Sequence, residues 1–114
     1  GGTKESVNHL YQTVYTISFA IHGLSPDLVD QIRLKLVINS QIYKNSALNE
    51  LYLVSETLFK SLDIPYPQEL TNLICFGKSG KIKTNFGDVE LQYEKTSLDW
   101  FILIINREGH KFEI

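Results

Sequence analysis

Two periodicities divide this chain at Pro65 and Pro67. Before the prolines, apolar residues recur every three or four positions, as on one face of a helix. After them, apolar and polar residues alternate, as in a strand with one buried face. The clearest helical stretch precedes the break. Leu48, Leu51, Tyr52, Ser55, Leu58, Phe59 and Leu62 share one face, and Asn45 or Ser46 can accept hydrogen bonds from the first free amides. This predicts a helix over 46–62. Asp63-Ile64-Pro65-Tyr66-Pro67 ends it, because proline lacks an amide donor and disfavours helical backbone in the residue before it.

Two earlier segments carry both patterns. Ser25-Pro26-Asp27 reads as a helix opening, with Leu28, Val29, Ile32 and Leu36 along one face as far as Ser40. The competing pattern is a strand in which Ile32, Leu34, Leu36 and Ile38 alternate with Arg33 and Lys35. The opening signal favours the helix. Over 7–23, Val7, Leu10, Tyr11, Val14 and Tyr15 keep helical spacing, whereas Tyr15, Ile17, Phe19 and Ile21 alternate with Thr16, Ser18 and Ala20. A helix through about Tyr11 passing into a strand, or one helix ending at Gly23, both fit, and Gly23 as a natural helix stop favours the single helix.

Beyond Pro67, Leu73–Phe76 is a short apolar run and Gly77-Lys78-Ser79-Gly80 a turn. Ile82, Thr84 and Phe86 alternate with polar residues, as do Val89, Leu91 and Tyr93 after a turn at 85–88. Trp100–Ile105 follows, then a turn at 107–109 and a last segment, Lys111–Ile114. Short links at regular spacing predict an antiparallel meander. The expected fold is α+β: two or three N-terminal helices packed on a C-terminal antiparallel meander of four to five strands, covering the face that bears Ile82, Phe86, Leu91 and Tyr93. A winged-helix outline, three helices and a hairpin wing, is the alternative.

Composition narrows the function classes. The 114 residues are 43% apolar, enough for one globular core and too apolar for disorder. The formal charge of −2 leaves no electrostatic footprint for nucleic acid or anionic lipid. Cys75 is the single cysteine, so no disulfide can form within the chain, and its apolar neighbours predict a buried thiol in a reducing compartment. No apolar run approaches the roughly 18 residues of a membrane helix. Gly1-Gly2 and the absence of methionine suggest a cloning remnant followed by a single domain, 3–114, excised from a longer intracellular protein.

One segment points outward. Trp100–Ile105 is apolar at every position, and such strands are normally covered on both faces. Either half of it could bury about 300 Å², worth more than about 7 kcal/mol at ~25 cal/mol per Å². The cover could be the N-terminal segment folding back, another protein or second copy of this chain, or an apolar ligand. The candidate contact residues are Trp100, Ile102 and Ile104, together with Phe101, and the candidate polar rim is Lys81, Lys83, Glu90 and Glu94.

The search for other chemistry leaves little. Gly77-Lys78-Ser79 lacks the upstream glycine of a phosphate loop, with Asn72 in its place. His9, His22 and His110 are scattered, and His9 with Glu5 would give only two ligands where a metal site needs more. Asp63 and Asp99 read as element ends, Glu56 as exposed, and Ser55, Ser61 and Ser97 have no paired base. The expectation is a non-enzymatic protein–protein interaction or dimerisation domain with no cofactor, no metal and no membrane partner. The alternative is a winged-helix nucleic-acid module using the Lys78–Lys83 hairpin. Helix 46–62 argues against that alternative, offering Glu50 and Glu56 against Lys60 where a groove-reading helix carries several basic residues.

Overall fold

A computed structural model describes residues 3–7, 13–23, 25, 28–107 and 112–113. The elements are β1 (Thr3–Val7), β2 (Thr13–His22), β3 (Leu28–Val29), β4 (Gln31–Ile38), α1 (Lys44–Ser61), α2 (Gln68–Phe76), β5 (Gly80–Lys83), β6 (Gly87–Lys95), β7 (Asp99–Arg107) and β8 (Phe112–Glu113). A 3₁₀ turn at Gln41–Tyr43 leads into α1. Six strands form one sheet in the order β1-β2-β4-β7-β6-β5, with every neighbouring pair antiparallel, and β3 pairs with β8 in a small second sheet. Two runs of strands thus meet at the β4–β7 seam. The helices carry the chain from central β4 to the far edge at β5, with α1 against β4 and α2 against β5 and β6.

The architecture is α+β, but the N-terminal half differs from the sequence expectation. Both segments read as helices, 7–23 and 25–40, form strands instead, over Thr13–His22, Leu28–Val29 and Gln31–Ile38. Residues 8–12, 24, 26 and 27 lie outside the described residues, so the Pro26-Asp27 opening does too. Register supplies the physical reason. Tyr15 pairs with Ile38, Ile17 with Leu36, Phe19 with Leu34 and Ile21 with Ile32. Two alternating apolar sets therefore merge into one sheet face, a tertiary gain that local start and stop signals cannot express. β-Branched residues at Val14, Thr16, Ile17, Ile32, Val37 and Ile38 add to the preference for strand.

Two further corrections follow. Leu73–Phe76, a short apolar run counted with the strand half, is the end of α2, which buries Leu70 and Ile74 four residues apart. Gly77 closes this helix at φ +61°, the left-handed conformation that glycine adopts freely. The sheet is also not a simple meander, because β7 continues to β4 instead of β8. The winged-helix outline falls with these findings, since two helices lie against a six-stranded sheet.

The core lies between that sheet and the helices. Leu34, Leu36 and Ile38 from β4, Phe101, Leu103 and Ile105 from β7, and Val89 and Leu91 from β6 are buried with Leu48, Leu51 and Phe59 of α1. Of the four residues expected beneath the helices, Ile82, Phe86 and Leu91 are buried, and half-buried Tyr93 stacks on Phe101 at 4.7 Å. Phe86 reaches the core from a turn. Thr84 Oγ1 accepts from the Phe86 and Gly87 amides at 3.2 and 3.1 Å, which fixes the turn, and the Phe86 ring packs edge-on to Phe59.

Candidate functional site

The alternation of β7 sends its apolar residues to opposite sides of the sheet. Phe101, Leu103 and Ile105 point to the helices and are fully buried. Trp100, Ile102 and Ile104 point to the face that neither described helix covers. Phe101, grouped with the outward set in the sequence reading, therefore belongs to the core. Trp100 and Ile102 are half-buried, and Ile104 keeps 6% of its surface.

Register fixes what surrounds this apolar column. On the β4 side, Arg33 is opposite Ile104, Lys35 opposite Ile102 and Val37 opposite Trp100. On the β6 side, Glu90 is opposite Ile104, Gln92 opposite Ile102 and Glu94 opposite Trp100. Lys81 of β5 pairs with Glu90, and Lys83 with Asp88. The open face is thus striped: a basic column on β4, an apolar one on β7, an acidic one on β6 and a basic one on β5. The sequence-predicted rim splits accordingly. Glu90 and Glu94 border the apolar column directly, while exposed Lys81 and Lys83 stand one strand further out, with Lys81 Nζ 3.4 Å from Asp88.

Long side chains shelter the column in part. Lys35 Nζ lies 4.0 Å from the Trp100 ring centroid, a cation–π contact that also lays its methylene stem on apolar surface. The buried Trp100 Nε1–H finds no acceptor among the described residues.

The acid at the start of β7 is a clip. Asp99 is fully buried at the start of β7 and accepts from the Tyr93 hydroxyl at 2.9 Å. Lys44 Nζ of α1 lies 3.5 Å from Oδ2, and Lys95 Nζ 4.0 Å from Oδ1. Burial alone would raise the Asp99 pKa, but hydrogen bonds from Gln41 and Tyr93 and the charges of Lys44 and Lys95 outweigh it and hold it below its ordinary value. The same bond to Asp99, aided by burial and by the carboxylate's charge, raises the Tyr93 pKa. The cluster ties the start of α1 to the sheet.

Sequence reasoning missed an apolar groove of about 480 Å³ between α1 and the β2–β4 strands, lined by Phe19, Leu34, Leu53, Val54 and Leu58. It exists because two helices, each about 10 Å across, cannot span six strands about 4.8 Å apart. Phe19 and Ile21 remain 41% exposed, and Leu53 47%. The alternation from Tyr15 to Ile21 was the signal for it, set aside in favour of the Gly23 stop.

Cys75 is exposed, not buried, because the turn of α2 that directs Ile74 inward directs Cys75 and Phe76 out. His22 is exposed, while His9 and His110 lie outside the described residues. Among the described residues no cluster of His, Cys, Asp or Glu could hold a metal, and no helix is long and apolar enough to cross a membrane. Fold and face together define a small α+β domain with one sheet face under helices and a striped face that, among the described residues, has none over it. Comparison with known proteins finds no matching family model, curated protein or solved structure.

Proposed function

We propose that this is a non-enzymatic docking domain that binds another protein chain through the helix-free face of its sheet. The observation that supports this most directly is the column Trp100, Ile102 and Ile104, flanked by Arg33 and Lys35 on one side and Glu90 and Glu94 on the other. An apolar centre bordered by charged groups is the usual anatomy of a protein interface. Trp and Arg, the residue types that most often dominate binding energy, both stand on this face. The one buried acid among the described residues, Asp99, is engaged by Tyr93, Lys44 and Lys95, which favours a binding role over a catalytic one.

The nucleic-acid alternative has less support. Its winged-helix frame is not the fold, and Lys81 is paired with Asp88.

Photo-crosslinking tests the reading. A benzoylphenylalanine at position 102 should yield discrete protein adducts in an extract of the source cells, and one at exposed Lys60 on α1 should not. No adduct from position 102, or the same adducts from both positions, would rule this face out.

A further inference from the structure

Resting on the docking reading, we infer that the chain which docks on this face is a second copy of this one, related by a two-fold axis parallel to β7. Charge complementarity selects both the occupant and the axis. A two-fold axis running along β7, in the plane between two facing sheets, exchanges left and right across the strands. It lays β7 over β7 and places β4 of each copy over β6 of the other. Arg33 then faces Glu90 of the second copy, and Lys35 falls between Glu90 and Glu94 of the second copy. Each of these juxtapositions occurs twice, because such an interface is isologous. A two-fold axis lying across the strands would instead set Arg33 and Lys35 against themselves, and Glu90 and Glu94 against themselves. Like charges so placed oppose association.

Sequence position alone does not give this arrangement. Arg33 and Lys35 are more than fifty residues from Glu90 and Glu94. They flank one column because β4 and β6 are the two neighbours of β7. The row Arg33–Ile104–Glu90 reads as its own complement when reversed, and Lys35–Ile102–Gln92 reverses to place a cation beside a polar amide. The dimensions also suit a dimer. Six strands at about 4.8 Å spacing and about eight residues at ~3.3 Å each give a face of roughly 24 by 26 Å. That is of the order of the ~800 Å² per partner that stable complexes bury. Facing sheets would pack about 10 Å apart, and the usual turn of about 30° between packed sheets needs each β7 to lie only about 15° off the axis, so the apolar column over the axis stays closest.

Sedimentation equilibrium on the whole chain tests this with three charge variants: Arg33→Glu with Lys35→Glu, Glu90→Lys with Glu94→Lys, and all four together. The wild type should be a dimer whose dissociation constant rises with salt. Each half-swap should weaken it by about tenfold or more. The four-fold variant, and an equimolar mixture of the two half-swaps, should restore it, which also shows that the half-swaps fold. A wild type that stays monomeric at the highest attainable concentration overturns the proposal, as does a dimer indifferent to both half-swaps. Crosslinking from position 102 separates that failure from failure of the docking reading. Adducts to a different protein would leave the docking reading standing without self-association, and no adducts at all would remove both.

Discussion

The Tyr93 hydroxyl donates to Asp99 Oδ1 at 2.9 Å, so that β6 and β7 are joined by a side-chain bond beneath the helices as well as by their backbone ladder. The pair makes stability pH-dependent at both extremes. The folded-state pKa of Asp99 lies below the ordinary 3.8, so its contribution is present above that value and is lost as the pH falls through the folded one. The pKa of Tyr93 is raised above the ordinary 10.0, so its contribution is present below pH 10.0 and is lost as the pH rises through the folded value. Asp99→Asn should flatten the acid arm of a plot of unfolding free energy against pH, and Tyr93→Phe the alkaline arm. Urea titrations across the pH range measure both.

Alternation along β7 predicts alternating sensitivity. Leu103→Ala removes a fully buried side chain beneath the helices and should cost about 2–5 kcal/mol. Ile102→Ala, on the open face, should cost the monomer about 1 kcal/mol or less. Equal losses in chemical denaturation at a concentration where the protein is monomeric would mean that the chain's own residues bury both faces.

Gly77→Ala tests the closure of α2. A Cβ there would meet Phe101 at 3.5 Å and Leu48 at 3.6 Å, ordinary contact distances, so the cost comes from the positive φ. Destabilisation of about 1–2 kcal/mol is expected. Gly80→Ala adds a steric cost, since its Cβ would lie 2.9 Å from a Leu73 methyl.

Cys75 offers a test of α2 itself. An exposed thiol on the outer side of a helix should react with a disulfide reagent in the native protein as fast as after unfolding. Protection until denaturation would place it in the core.

Local signals announced the elements whose neighbours in the chain decide their structure. Helix α1 was legible because Leu48, Leu51, Ser55 and Phe59 keep one face without competition, and the proline pair ends it. Strands β5, β6 and β7 were legible because turns separate them at short intervals. The stretches over 13–22 and 31–38 were not, because their apolar residues satisfy both periods. The deciding partners are each other and β7, whose pairing with β4 joins residues about seventy positions apart. Leu73–Phe76 misled for the opposite reason: four apolar residues are too few to show a period, and the cap that sets α2 lies at Pro67. For the candidate site, the doubly apolar β7 and the acidic residues of β6 could be read directly. Arg33 and Lys35 could not be joined to them, because their strand was read as a helix.

Strand β5 is short, pairing only with Asp88–Leu91 of β6. On the side away from β7, Gln92–Lys95 therefore has no described strand, and an acid and a base, Glu94 and Lys95, occupy this exposed margin. A further strand adding sideways would have to desolvate both charges. Lateral growth into ribbons or fibres is thus discouraged at this margin, where a newcomer would meet charge before it met backbone.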